Sequence, residues 1–188
     1  MSRVLHFIIF LMILIQFQAC APRATHYAHP NVDFSSIQRV AIFPFQNMSQ
    51  DTQAAARVQS IFVASILEEG ELILVDHGEV LHTLQKLKMS TGAVLSAEQI
   101  INLGQQLSVE GIFFGTVEEY RLERISNTQA YNVTVAFSLF ETETGSLIWN
   151  SQVNHNGTSF WRRLFGGGTA SFYDVSRSAV KAALRTLF

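Results

Sequence analysis

The chain is 188 residues long, which suits one domain with a short targeting segment and leaves little room for a second core. Its formal net charge of −2, from 13 basic and 15 acidic residues, comes with no clustered basic face and excludes the electrostatic footprint of a nucleic-acid binder. Hydrophobic residues make up 48% of the chain, a share inflated by the stretch before Cys20, and the remainder has a globular composition.

Ser2 and Arg3 precede an apolar run, Val4 to Ile15, interrupted only by His6. This is the pattern of a secretory signal, and it falls short of the roughly 20 apolar residues that a spanning helix needs. Gln16-Phe17-Gln18-Ala19-Cys20 follows and resembles the lipobox of bacterial lipoproteins. Cys20 is the only cysteine. An oxidising periplasm would offer it no disulfide partner, whereas lipidation gives the thiol a use. Residues 1–19 are therefore expected as a signal peptide and Cys20 as the lipidated start of the mature chain. The alternative is an ordinary cleaved signal, or an uncleaved anchor, with an incidental cysteine. Acyl chains contribute about 0.8 kcal/mol per buried methylene, enough for several chains to hold a soluble domain on a bilayer. By the lipoprotein sorting rule, Ala21 implies the outer membrane, with the domain facing the periplasm.

Residues 20–36 read as the lipidated cysteine and an extended tether, carrying Pro22 and Pro30 without apolar periodicity. His26 and His29 lie in this stretch and read as solvated linker residues rather than metal ligands, since Pro30 disfavours a helix that would align them. Residues 37–188 form one domain. Arg39 to Phe45 is a continuous apolar run, the pattern of a buried strand. Ala54, Val58, Ile61, Phe62, Ser65 and Ile66 recur at helical spacing up to Gly70, which ends the helix.

Leu72 to Val75 predicts a second strand, and Asp76 caps a helix carrying Val80, Leu81, Leu84 and Leu87. Ser96 and Gln99 form a capping box for a third helix with Ile100, Ile101, Gly104 and Leu107 inward. Glu110 to Val117 predicts a strand whose Gly111 and Gly115 allow close backbone approach. Tyr131–Phe140 and Ser146–Val153, separated by Glu141–Gly145, predict an antiparallel hairpin. In its first arm Val133, Val135, Phe137 and Leu139 alternate with Asn132, Thr134, Ala136 and Ser138. Ser171 and Asp174 cap a terminal amphipathic helix. The order βαβααβββα implies the α/β (α+β) class, with a mixed parallel and antiparallel sheet of about five strands and helices packed on it.

Arg39-Val40-Ala41-Ile42-Phe43-Pro44-Phe45-Gln46-Asn47 resembles the opening strand and loop of CsgG-like and LpoB-like envelope lipoproteins. Leu72 to Asp76 is similar to that family's second strand, Leu103 to Val117 to its helix-to-strand passage, and Glu143 to Trp149 to its hairpin. The resemblance implies a shared scaffold with varied partners, since such proteins include a curli secretion channel, activators of penicillin-binding proteins and flagellar lipoproteins. A pore-forming subunit is disfavoured. Glu119–Ala130 is too short and polar for a membrane hairpin, and Asn154–Ala170 holds one apolar cluster rather than two alternating strands.

Phe165 to Ser171 is glycine-rich and leads into a helix; it lacks the lysine of a phosphate loop and reads as a flexible loop or hinge ahead of a generic anion site. Just before it, Phe160, Trp161, Arg162, Arg163 and Phe165 interleave aromatics with arginines. That composition suits a partner or membrane contact, while packing of the aromatics on the domain explains it equally well. The acids, Glu118 and Glu119 among them, are scattered, and no signature assembles a nucleophile with a base. The expectation is a non-enzymatic binding or assembly factor of the cell envelope, in secretion, surface-appendage or peptidoglycan-synthase service. It needs no cofactor or metal, its partners are envelope proteins and the membrane, and self-association into a homo-oligomer stays open. The alternative is a small-ligand-binding or hydrolytic α/β lipoprotein with a pocket near the strand ends.

Overall fold

The computed structural model describes residues 24–125, 128–157 and 170–188. Seven strands form one mixed sheet: β1 Ala24–Ala28, β2 Arg39–Ile42, β3 Gln46–Asn47, β4 Ile73–Leu74, β5 Gly111–Ile125, β6 Thr128–Glu141 and β7 Leu147–Asn156. Four helices are seen among the described residues: α1 Ala54–Glu69, α2 His77–Lys86, α3 Ala97–Leu107 and α4 Phe172–Leu184. The strand order is β1-β7-β6-β5-β2-β4, with β3 added on β5. Pairs among β2, β3, β4 and β5 are parallel, and β5, β6, β7 and β1 run antiparallel. The expected mixed α/β architecture is what forms.

Local chemistry sets the helix ends. The Asp76 carboxylate accepts from the Gly78 and Glu79 amides at the start of α2. Ser96 with Gln99 and Ser171 with Asp174 complete reciprocal capping boxes on α3 and α4. Gly70 closes α1 in the left-handed region at φ 73°.

The helices divide between the two faces of the sheet. One face is covered along its length by α1 and α4, which bury Val58, Phe62, Ile66, Val175, Ala179 and Val180 against strand residues such as Phe113, Val135, Phe137 and Trp149. Among the described residues, helices cover the other face only over the parallel strands. There α2 and α3 bury Val80, Leu84, Ile100, Leu103 and Leu107 on Ala41, Phe43 and Ile112. Two glycines permit this closeness. A Cβ on Gly104 would meet the Thr142 side chain at 2.3 Å, and one on Gly115 would meet the Phe45 ring at 2.6 Å. The role expected for Gly115 is therefore the one it plays.

Three features differ from the sequence expectation. The sheet has seven strands rather than about five. Residues expected as tether contain β1, which pairs with β7 through backbone bonds and buries none of its own side chains, so no apolar pattern announced it. The strand expected to stop at Val117 continues to Ile125, and its partner begins at Thr128. This extension leaves the helical layer behind, which is why its sequence is polar.

Candidate functional site

Past the cover of α2 and α3, the second face of β5, β6 and β7 carries mostly polar side chains, with the apolar Ala136 among them. Thr134 stands opposite Glu119 and Asn154 in register, Asn132 opposite Arg121, and Ser138 opposite Asn150. These groups are hydrogen-bonded to one another rather than left to water. Glu119 Oε2 accepts from Asn132 Nδ2 at 2.8 Å and from Thr134 Oγ1 at 3.2 Å, and Thr134 Oγ1 accepts from Asn154 Nδ2 at 2.7 Å. Gln152 Nε2 donates to both Glu118 carboxylate oxygens, at 3.2 and 2.9 Å. Asn150 Nδ2 donates to Ser138 Oγ at 2.9 Å and to the Phe137 carbonyl at 3.0 Å. Arg121 lies between Glu119 and Glu123, at 3.2 and 2.5 Å.

The mesh works because a β-bulge interrupts the register between Val117 and Glu119. Strict alternation would send two successive glutamates to opposite faces, whereas a bulge adds one residue without a partner. Glu118 and Glu119 thus bond to Gln152 and Asn132 on the same face. In sequence they read as scattered acids; a pair of acids inside an otherwise alternating strand was the available signal. Asn132 and Thr134 are buried beneath their neighbours, and Gln152 and Asn154 are exposed. Asn132 Oδ1 is buried with no hydrogen-bond partner. The result is a flat surface of oriented donors and acceptors, suited to binding rather than to enclosing a reacting centre.

Two clefts lie at the far end of the sheet. One, of about 430 Å³, runs along the β4 edge and is largely apolar, lined by Phe34, Ile37, Leu72, Ile73, Leu139 and Leu187 among others. The second, of about 540 Å³, is lined by Gly104, Ser108, Glu110, Glu141, Thr142 and Glu143 among others. The Glu110 carboxylate accepts from the Arg39 amide at 2.6 Å. Among the described residues no group of three His, Cys, Asp or Glu side chains could hold a metal ion. His155, on the helix-covered side of β7, is half-buried, and that desolvation lowers its pKa.

Cys20, Phe160, Trp161, Arg162, Arg163 and Phe165 all lie outside the described residues, as do Gly166, Gly167 and Gly168. The chain on either side of the aromatic segment is described. The Gly157 amide donates to the Tyr131 carbonyl at 2.8 Å, and a Cβ on Gly157 would come within 3.4 Å of the Ala170 side chain. Both ends of that segment therefore meet where β7 finishes. His26 is on β1, and the His29 ring accepts from the Asn31 amide at 3.3 Å.

No family model and no curated protein matches the chain. Solved structures share its fold. The PelC dodecamer from Paraburkholderia phytofirmans matches with 16% identity and a TM-score of 0.57, covering 86% of this chain and 96% of that one. Lipoprotein GNA1162 from Neisseria meningitidis matches with 17% identity and a TM-score of 0.58, covering 80% and 97%. The LpoB C-terminal domain from Escherichia coli is a weaker likeness, with 15% identity, a TM-score of 0.48 and coverage of 62% and 81%. At such identities the first two likenesses establish a shared fold, one used by both a lipoprotein and a dodecamer-forming protein.

Proposed function

We propose that this chain is an outer-membrane lipoprotein, anchored through Cys20, whose periplasmic domain acts as a non-enzymatic binding or assembly factor of the cell envelope. The observation that carries this reading is the flat polar face of β5, β6 and β7, where Glu119, Asn132, Thr134 and Asn154 are held in position by one another. Preorganised polar groups on a rigid sheet reduce the entropy lost on binding, which favours docking a partner surface. The β4-edge cleft, which is largely apolar, favours the same reading over the hydrolytic alternative. The partners we assign are envelope proteins, with the aromatic and arginine segment Phe160–Phe165 as a second contact. PelC, which has this fold, is a dodecamer, and we extend self-association to this chain as part of the proposal.

The test has two arms. Cys20→Ala should abolish fatty-acid labelling and membrane retention while leaving the melting temperature unchanged, because Cys20 precedes the first described strand. Equal labelling of the wild type and the variant overturns the anchor. Thr134→Arg with Asn154→Arg should remove envelope crosslinks of the retained protein, and crosslinks that persist in a folded double variant overturn the assignment of this face.

A further inference from the structure

Five residues of the segment expected as a long tether, Ala24–Ala28, are committed to the sheet. Strand β1 begins at Ala24, leaving only Ala21, Pro22 and Arg23 between it and Cys20. Four Cα steps span at most about 14 Å. The register also fixes direction. Ala24 stands opposite Val153, and Ala28 opposite Trp149. Followed back toward its start, β1 therefore points to the end of the sheet where β7 finishes and the β5–β6 arms extend to Ile125 and Thr128.

Val153 pairs with Val135. From that level to Thr142, at the opposite end, lie about seven residues of β6, or about 24 Å at ~3.4 Å per residue. Cys20 cannot reach that end.

We propose that the lipid on Cys20 is a short leash that holds the hairpin end of the sheet against the bilayer surface and turns the acidic cleft of Glu110, Glu141 and Glu143 into the periplasm. This rests on the lipidation reading above. The hairpin carries Arg121 and Arg124 together with Glu118, Glu119 and Glu123, and Arg121 is ion-paired to Glu119 and Glu123. Beyond Tyr120 and Tyr131, whose rings pack on Phe172 at the start of α4, none of the described helices covers the hairpin arms. Leu122 is 47% exposed there, and Arg121 and Arg124 are exposed beside it. An aliphatic chain flanked by arginines suits the headgroup boundary, where the stems contact acyl chains and the guanidinium groups stay hydrated.

The experiment uses the lipidated full-length protein in vesicles of phosphatidylethanolamine and phosphatidylglycerol containing a shallow spin-labelled lipid. Cys20 is blocked by its own lipid, so a single thiol introduced by Leu122→Cys or Glu143→Cys takes an environment-sensitive fluorophore. Quenching at position 122 should be several-fold stronger than at 143. Inserting a flexible Gly-Ser linker of about a dozen residues between Arg23 and Ala24 should bring the two values together without loss of vesicle flotation. Equal quenching in the unextended protein, with fatty-acid label and flotation intact, overturns the orientation alone. Absence of label and flotation overturns the anchor and the leash with it.

Discussion

The two halves of the sheet share one helical layer and differ in the other. Over β2, β4 and the start of β5 both faces are covered, and the strand sequence is apolar without interruption: Val40, Ala41, Ile42 and Phe43 are all buried. Over β6 and β7 the described helices cover only one face, and the sequence alternates, with Val133, Val135 and Phe137 inward and Asn132, Thr134 and Ser138 on the other side. A strand buried on both faces must be continuously hydrophobic, whereas one with a single core face is free to carry polar groups at every second position. The parallel half is the frame; the antiparallel half is where binding chemistry can be written without loss of core.

The comparison predicts a graded response to substitution. Phe43, buried on the doubly covered side and stacked on Phe114, should cost about 3–5 kcal/mol when truncated to alanine, read as a large fall in melting temperature. Gly104→Ala drives a methyl into Thr142, where no flexible side-chain end can yield, and should cost about 1–3 kcal/mol by chemical denaturation. On the open face, Asn154→Ala removes one exposed hydrogen-bonding group and should cost about 1 kcal/mol or less, because Thr134 keeps its bond to Glu119. A loss at Asn154 as large as that at Phe43 would mean the polar face is structural and would erase the distinction.

The smallest effect concerns pH. Burial holds the folded pKa of His155 below its ordinary 6.5. As pH falls, the unfolded chain takes up the proton first, so stability is full above about 6.5 and declines as pH falls toward the lowered folded value. His155→Gln should flatten that acid-side decline in melting curves and leave neutral-pH stability nearly unchanged. An unaltered slope would remove His155 from the pH response.

Much of the frame was legible because it rests on strong local signals. The two capping boxes, the Asp76 cap, the helix-ending Gly70 and the alternation from Tyr131 to Phe140 each state their structure within a few residues. What was not legible depended on pairing at a distance. Strand β1 buries no side chain of its own, and the outer hairpin has no helix above it, so neither shows hydrophobic periodicity. The candidate face was half visible: Asn132, Thr134 and Ser138 were placed on a polar side, but the convergence of Glu118 and Glu119 needed the bulge. One unpaired residue shifts the parity of everything after it, and no spacing rule reveals it from a single strand.

The pairing of β1 with β7 also sets an order in time. Ala24 pairs with Val153, 129 residues further along the chain. Contacts this distant in sequence form late, after loop closure has been met by the rest of the sheet. On the lipidation proposed above, acylation of Cys20 would precede the docking of β1, because that strand pairs only when the rest of the sheet is present.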